Sequence, residues 1–260
     1  MRQFFNSLQK YRGYIFYSAK AQLKAELANS WLGGLWWVLE PTLNMLVYLF
    51  VFTVVFHRST TYVVAFIILG LSYWRFFHNC VISSITLLKR YRSVIMKVYI
   101  PKCAFVCILM VVNGFKLLCA YIPIIGLMFY YSVPLSIHIL TIVPITLLML
   151  LLTFGICCWC MHIGVYIEDL SKVMTILLQM VFYISGVFYP INELLEPALA
   201  NQIFALNPIA FIINEARNAL LYAAPCQWNL VVIFSVIAVL LSVTGILLVN
   251  RGERQYIKVL

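Results

Sequence analysis

Charged residues are scarce in this sequence. Only 10% of its 260 residues are Asp, Glu, Lys or Arg, and the acidic residues number eight. A soluble domain of this size needs more polar surface to face water, because about a quarter of an ordinary globular chain is charged. The composition therefore excludes a soluble globular domain. A hydrophobic content of 64% and a mean hydropathy of +0.99 indicate an integral membrane protein.

Sequence motifs for catalysis are also missing. There is no G-x-x-x-x-G-K-[ST] phosphate loop, so the sequence cannot bind ATP by that means. There is no Asp-x-Asp pair and no histidine with an obvious carboxylate partner, which argues against a membrane glycosyltransferase or acyltransferase. Cys157 and Cys160 form a C-x-x-C inside an unbroken apolar run, where side-chain packing is favoured over a metal or redox site.

Long apolar segments dominate the rest of the chain. A helix needs about twenty mostly apolar residues to cross a bilayer. The candidate spans are residues 36–56, 62–88, 103–131, 137–167, 173–189 and 230–249. The Pro-containing segment 190–227 has apolar pieces too short to cross, which favours an external re-entrant hairpin over an ordinary loop with a short surface helix.

These segments predict an all-α integral membrane protein with one domain over residues 1–260. A cytoplasmic and interfacial segment, 1–34, precedes a transmembrane bundle, 35–260, of six helices with the hairpin between the fifth and sixth. Phe16, Ala19, Leu23, Leu27 and Trp31 recur at spacings of three and four, which predicts an amphipathic helix in the headgroup plane before the first span.

Basic residues indicate the orientation. Six crossings place both termini on one side, and fourteen of the eighteen Lys and Arg residues then lie there, whereas only Arg58 and Arg217 lie on the other side. This asymmetry predicts cytoplasmic termini in a bacterial plasma membrane. The net charge of +10 follows from this topology and from contact with anionic lipid, and nucleic acid is not an expected partner. The fourteen residues are Arg2, Lys10, Arg12, Lys20, Lys24, Lys89, Arg90, Arg92, Lys97, Lys102, Lys172, Arg251, Arg254 and Lys258.

Four stretches carry a family resemblance. They are Ser30, Leu32, Gly33, Trp36 and Pro41; the run Gly70-Leu71-Ser72-Tyr73-Trp74-Arg75-Phe76-Phe77; Lys97-Val98-Tyr99-Ile100-Pro101-Lys102; and Asn207-Pro208 followed by Glu215 and Arg217. In this order they resemble the membrane subunit of ABC-2-type polysaccharide exporters, which move lipid-linked O-antigen, teichoic acid and capsule chains. The chain departs from the family pattern at Glu168, where the family commonly has Arg before the Asp.

The resemblance implies a homodimer with two ATPase subunits, a 2:2 complex in which the partner holds ATP and Mg and this chain holds no cofactor. It implies ATPase contacts on the interfacial helix around residues 20–29, the basic segment 86–97 and the turn 168–172; for Glu168 and Asp169 a solvated turn is the alternative. A drug or lipid exporter subunit is the nearest alternative function. A channel or secondary transporter is disfavoured because no matching pair of broken helices is visible. The implied coupling residues are Lys20, Lys24, Arg90, Arg92, Lys97, Glu168 and Asp169.

A glycan path needs polar groups and flat aromatic faces for the sugar rings. The alternative for any aromatic is the usual enrichment of Trp and Tyr at membrane interfaces. Arg75 and Lys116 stand out, because an isolated cation at mid-bilayer costs about 2.5–3.5 kcal/mol. Arg75 and His78 share a helix face and are candidates to line the path or bind carrier phosphates, and snorkelling of Arg75 or its pairing with Glu40 is the alternative. The candidate path residues are Trp36, Trp37, Tyr73, Trp74, Arg75, Phe77, Tyr183 and Tyr189, with Asn207, Pro208 and Arg217 in the hairpin and no metal ligands.

Overall fold

The computed structural model describes residues 2–28, 30–51, 62–134 and 136–259, and these residues form a multi-pass helical membrane protein. Every regular element within them is helical. The α-helices are α1 (Arg2–Ala28), α2 (Trp36–Phe50), α3 (Val63–Ile85), α4 (Leu87–Arg90), α5 (Arg92–Ile95), α6 (Lys102–Tyr130), α7 (Ile142–Tyr166), α8 (Leu170–Ile184), α9 (Ile191–Leu194), α10 (Pro197–Leu206), α11 (Pro208–Arg217) and α12 (Trp228–Val259).

Four stretches of the described chain are long and apolar enough to cross a membrane. They are Val63–Ile85, Lys102–Tyr130, Ile137–Tyr166 and Trp228–Glu253, and they match the second, third, fourth and sixth predicted spans. A short 3-10 helix, Ile137–Thr141, leads into α7. The first predicted span is represented by α2, and its remainder lies in residues 52–61, outside the described part of the chain. Helix α12 continues ten residues beyond the predicted end at 249.

The fifth predicted span, 173–189, was placed too far along the chain. Helix α8 runs from Leu170 to Ile184, and its 15 residues rise about 22 Å, less than the thickness of the hydrocarbon core. It ends because Gly186 has a φ of +61°, a left-handed conformation that turns the chain back on itself. The hydroxyl of Tyr189, the last residue of the predicted span, donates to the Tyr183 carbonyl at 2.6 Å, which holds this turn.

Helices α7 and α12 pack most closely through small residues. A Cβ on Gly155 would lie 2.8 Å from the Ser242 nitrogen, and a Cβ on Gly245 would lie 2.8 Å from the Cys158 Cβ. The Ser242 hydroxyl donates to the Leu151 carbonyl at 3.1 Å. Small residues allow two backbones in a membrane to approach and gain dispersion contacts. The α7–α12 pair is therefore the tight centre on which α3 and α11 pack.

Helix α1 follows α6 instead of crossing the bundle, which differs from the in-plane helix that we predicted. The Tyr11 hydroxyl donates to the Tyr99 carbonyl at 3.1 Å, and Lys116 Nζ lies 2.8 Å from the Glu26 carboxylate. The two contacts advance in the same direction along both segments, so α1 and α6 run parallel. Ile15 and Ala19 are buried. Phe16, predicted on the apolar face, is exposed because the face that packs against the core is rotated toward Ile15.

The segment between α8 and α12 enters the bundle. Arg217, at the end of α11, contacts Phe66 near the start of α3, whereas Asn207, just before α11, shares a cavity lining with Phe77. Eleven helical residues separate Phe66 from Phe77, a rise of about 16 Å. Eight of the ten residues of α11 are buried, and α11 packs against α3 and α7. This hairpin is therefore an internal element of the fold.

Candidate functional site

Two adjoining cavities with polar linings lie among α2, α3, α6 and α8. The first, of about 190 Å³, includes Trp37, Glu40, Asn113 and Lys116 in its lining, and the second, of about 320 Å³, includes Asn44, Trp74, His78 and Gln179. Both are also lined by Arg75 and Asn79. We refer to them together as the polar cavities. Polar side chains between membrane-spanning helices need protein or water partners. A water-accessible cleft bordered by aromatic rings is therefore a candidate binding site.

Both cations that line the first cavity form ion pairs. The Arg75 guanidinium on α3 donates to the Glu40 carboxylate on α2, as the pairing alternative predicted. The Lys116 ammonium on α6 pairs with Glu26 on α1 at 2.8 Å. Both carboxylates come from the α1–α2 part of the chain, on either side of a 3-10 turn at Gly33–Leu35. Each cation of the cavity is thus neutralised by a side chain of the same N-terminal segment.

The predicted aromatic residues divide by location. Trp37 lines the first cavity with its ring centroid 5.0 Å from that of Phe115, and Trp74 lines the second next to Phe182 at 5.1 Å. The two rings can present flat faces to a bound sugar. Trp36 and Tyr183 are exposed at the outside of the subunit.

The other predicted path residues lie inside the bundle. The Tyr73 hydroxyl is bonded to the hydroxyls of Tyr121 at 2.7 Å and Thr146 at 2.6 Å, which joins α3, α6 and α7. Phe77 is buried and lines an apolar cavity beside Asn207 and Pro208. In the present arrangement Tyr73 and Phe77 therefore contact protein groups of neighbouring helices.

Polar residues on α8 complete the second cavity, and our sequence interpretation did not single them out. Thr175 and Gln179 line it from α8, opposite Asn44 on α2. Thr175 and Gln179 are four residues apart, which places them on one helical face in an otherwise apolar segment. This i, i+4 polar pair is the sequence signal that identifies α8 as part of the cavity wall.

The hairpin between α8 and α12 contains a buried arginine that donates hydrogen bonds to backbone carbonyls. Arg217 is 3% exposed and donates to the carbonyls of Phe66 at 3.2 Å, Gly186 at 2.8 Å and Val187 at 2.7 Å. Its guanidinium also lies 3.4 Å from the Phe66 ring centroid, a cation–π contact. The fork of N–H donors matches several carbonyls at once. Arg217 thus ties α11 to α3 and to the chain reversal after α8.

Asn207 and Pro208 start helix α11. The Asn207 side-chain oxygen accepts from the backbone N–H groups of Ile209 at 3.0 Å and Ala210 at 3.2 Å, which caps the helix. Its amide donates to the Ser185 hydroxyl at 2.9 Å. Pro208 occupies the first helical turn, where no backbone donor is needed. The Asn-Pro motif therefore sets the hairpin turn and connects it to the end of α8.

The basic segment 86–102 and the turn 168–172 come together at one end of the molecule, where they form what we call the polar end. Lys89 pairs with Glu168 at 2.8 Å, and Lys172 pairs with Asp169 at 2.8 Å. The hydrogen bond from Lys89 and its charge lower the pKa of the Glu168 carboxyl below its ordinary value. The other side chains predicted to contact the ATPase are exposed: Lys20, Lys24, Arg90, Arg92 and Lys97.

Helix α1 reaches the polar end only through its first half. Tyr11 contacts Tyr99, as described above, whereas Lys20 and Lys24 lie nine and thirteen residues farther along α1. This separation corresponds to about 14 and 20 Å along the helix. The structure therefore groups Arg90, Arg92, Lys97, Glu168 and Asp169, and it places Lys20 and Lys24 farther up the side of the bundle.

The end of α12 also contributes to the polar end, which the sequence did not indicate. Glu253 accepts from the Tyr99 hydroxyl at 2.9 Å and from the Lys102 backbone N–H at 3.2 Å. The bond to Glu253 raises the pKa of the Tyr99 hydroxyl. The Tyr166 hydroxyl donates to Gln255 at 3.0 Å. The α12 extension thus fastens the start of α6 and the end of α7.

Among the described residues, no group of three or more His, Cys, Asp or Glu side chains is placed to hold a metal ion. Cys157 and Cys160 are both buried on α7.

Comparison with known proteins gives consistent matches. The sequence model of the ABC-2 type transporter family matches residues 14–221. O-antigen export system permease protein RfbA of Myxococcus xanthus is 29% identical over 210 residues, which cover 80% of this chain and 80% of the relative. A Klebsiella pneumoniae protein of the same name is 22% identical over 253 residues, covering 95% of this chain and 96% of the relative.

Proposed function

Because this chain belongs to the ABC-2 type transporter family, we propose that it is the permease subunit of an ATP-driven exporter of a lipid-linked polysaccharide such as O-antigen. The polysaccharide moves from the cytoplasmic to the outer side of a bacterial plasma membrane. The relatives named as O-antigen export permeases support the substrate class, since they align over most of this chain.

The polar cavities are the observation that carries this proposal. A glycan that crosses a bilayer needs hydroxyl partners and aromatic faces in a cleft that excludes lipid. The cavities provide Asn44, Asn79 and Gln179 for hydrogen bonds and the rings of Trp37 and Trp74 for stacking. We therefore propose that the glycan passes along α2, α3 and α8, with Trp36, Tyr183 and Tyr189 at the margins of the path.

Six crossings with both termini in the cytoplasm are the topology that we propose. The four long helices, α2 and α8 supply six membrane elements, and the hairpin α9–α11 enters from outside. Fourteen of the eighteen basic residues lie on the cytoplasmic side in this arrangement. The depth that α11 reaches along α3 supports the re-entrant assignment over an external loop.

ATP hydrolysis comes from a protein outside these 260 residues, because the sequence contains no phosphate-binding loop. We propose that two copies of this chain assemble with two ATPase subunits, which hold ATP and Mg. The docking site is the polar end, where Arg90, Arg92, Lys97, Glu168 and Asp169 are exposed on elements that the Lys89–Glu168 pair and Glu253 connect to the bundle. Because of these connections, a displacement of the polar end by the ATPase would also move α6 and α7.

The proposal is tested by deleting the gene in its bacterium and measuring where the lipid-linked glycan accumulates. We expect the surface polymer to disappear and the cytoplasmic leaflet to collect lipid-linked glycan, with both reversed by the wild-type gene. A Gly114→Ala chain should restore export equally well, because nothing lies within 4 Å of the added methyl group. Normal surface glycan together with a new drug sensitivity would contradict the proposal and favour drug export.

Copurification tests the partners. The tagged chain, extracted gently from membranes, should bring down the ATPase encoded beside it, and the mass of the complex should correspond to two copies of each subunit. A chain that purifies without an ATPase and itself hydrolyses ATP would contradict this assembly.

A further inference from the structure

The first polar cavity holds two cations that come from different spanning helices. Arg75 is on α3 and Lys116 is on α6, and both line the same space of about 190 Å³. A single intramembrane cation is commonly neutralised by one neighbour, whereas two cations around one cavity form a binding site for an anion with two charges. Their present partners, Glu26 and Glu40, supply two negative charges.

Both carboxylates belong to one segment and are accessible. Glu26 lies in the last turn of α1 and Glu40 lies in α2, with the Gly33–Leu35 turn between them. The Glu40 side chain is 54% exposed and the Glu26 side chain is 37% exposed, so each can rotate away from its cation into open space. A carboxylate on a flexible side chain is a displaceable ligand, unlike a backbone carbonyl.

We propose that Arg75 and Lys116 form a binding site for the phosphate groups of the lipid carrier, and that Glu26 and Glu40 occupy this site until the phosphates displace them. This inference rests on the proposed function, which supplies a lipid-linked substrate. Phosphate oxygens accept several charge-assisted hydrogen bonds from guanidinium and ammonium groups, which makes phosphate the stronger competitor. The two glutamates thus act as a latch that keeps the site closed without substrate.

The latch also explains the arrangement of the N-terminal segment. When the phosphates release Glu26 and Glu40, the α1–α2 segment loses both of its ion pairs to α3 and α6. Gly33, with a φ of +52° and nothing within 4 Å of the position of a Cβ, provides a turn between the two arms, and the Trp37 ring lies against the neighbouring Gly34. Arrival of an anionic headgroup would therefore release the segment that borders the glycan path.

The test is lipid retention by the purified chain in detergent, measured by native mass spectrometry with a polyprenyl pyrophosphate as the probe. A chain with Glu26→Gln and Glu40→Gln should bind the probe about tenfold more tightly than wild type, because the competing carboxylates are gone. A chain with Arg75→Gln and Lys116→Gln should lose specific retention. The control Glu196→Gln removes an exposed carboxylate of the hairpin and should leave affinity unchanged.

The same assay distinguishes the source of the phosphate. Phosphatidylglycerol should be retained far less well than the polyprenyl pyrophosphate, and inorganic pyrophosphate should compete with the probe. Arg251→Gln, which removes an exposed cation at the end of α12, should not change probe retention. Equal retention of phosphatidylglycerol would overturn the assignment to the carrier, and unchanged or weaker affinity of the double glutamine chain would overturn the latch.

Failure of this proposal and failure of the proposed function give different results. The binding assay needs neither the ATPase nor a glycan, whereas the deletion experiment measures export in cells. Loss of surface glycan on deletion, together with unaltered probe affinity in the glutamine chains, would reject the latch and retain the exporter. Tight, arginine-dependent probe binding without any export defect would retain the site and reject glycan export.

Discussion

Arg217 and Arg75 both form hydrogen bonds within the protein, but their acceptors are of different kinds. Arg217 is almost fully buried, and backbone carbonyls of α3 and of the turn after α8 accept its hydrogen bonds. Arg75 lies at a polar cavity with 29% of its side chain exposed, and it is paired with the side chain of Glu40. Both guanidinium groups are paired, but only one of them has partners that can move away.

The difference separates a structural cation from an exchangeable one. Carbonyls in a folded chain cannot leave without unfolding, so the Arg217 contacts persist in every state that keeps the hairpin folded. A carboxylate can rotate and be replaced by another anion, so the Arg75 contact is compatible with binding and release. Burial alone therefore does not identify a substrate-binding cation, whereas the nature of its partner does.

Replacing Arg217 should have the largest effect on stability. Arg217→Leu leaves buried carbonyls of Phe66, Gly186 and Val187 without their donor, and we expect a loss of about 3–5 kcal/mol in the free energy of unfolding, because each unsatisfied buried acceptor costs about 1–3 kcal/mol. Arg217→Lys should recover only part of this, because an ammonium cannot span all three carbonyls. Membrane abundance and thermal unfolding in detergent measure the effect. Normal abundance and normal thermal unfolding of Arg217→Leu would show that Arg217 does not have the structural role that we assign to it.

Gly70→Ala should produce the next largest effect, because Gly70 provides the space for Arg217. An added Cβ would overlap Arg217 Nη2 and lie 2.9 Å from the Val187 carbonyl oxygen. Overpacking of this kind costs about 1–3 kcal/mol. The matched control is Gly126→Ala on α6, where nothing lies within 4 Å of the added methyl. The two proteins can be compared by thermal unfolding, and equal midpoints would contradict the proposed role of Gly70.

Arg75→Leu should change stability by less than about 1 kcal/mol, because its ion pair is partly exposed and screened. Export, however, should be abolished, since the variant lacks a cation that we propose binds substrate. Surface glycan and membrane abundance should be measured in the same cells. Full export by Arg75→Leu, or loss of the protein from the membrane, would show that the two arginines do not differ as proposed.

Glu168→Gln should have the smallest effect, because the Glu168 side chain is 84% exposed and water screens its pair with Lys89. Lys89 lowers the pKa of folded Glu168, so the pair contributes stability above the unfolded pKa and loses it as pH falls through the folded pKa. The difference between wild type and Glu168→Gln should therefore be slight near neutral pH and vanish once the pH has fallen below the lowered pKa of folded Glu168. Thermal unfolding across this range measures it, and a difference that grows toward acid would contradict the assignment.

The helical class and most spans could be predicted from the sequence, because long apolar runs have few alternatives to a membrane helix. Three of the four long apolar stretches, Val63–Ile85, Lys102–Tyr130 and Ile137–Tyr166, begin and end close to their predicted bounds, whereas α12 continues beyond its predicted end. The predicted end of the fifth span was wrong because Ser185 and Gly186 interrupt the helix inside an apolar run that continues to Tyr189. Hydropathy reports burial in lipid or protein but does not report a left-handed turn.

Contacts between distant segments could not be predicted from the sequence. The pairing of Glu26 with Lys116 joins residues 90 positions apart, and the bond from Lys102 to Glu253 joins residues 151 positions apart. Arg217 was identified from its motif, yet nothing in the motif indicates that its partners are carbonyls. Pairing of Arg75 with Glu40 could be anticipated, because few carboxylates are available within the spans.

The close approach of α7 and α12 limits how these two helices can move relative to each other. Glycines at 155 and 245 bring the two backbones together, and a sliding motion between them would require many side chains to repack at once. Helices α2 and α8, in contrast, have broad exposed faces and border the cavities. We therefore expect the α7–α12 pair to move as one unit and α2 and α8 to change position during transport.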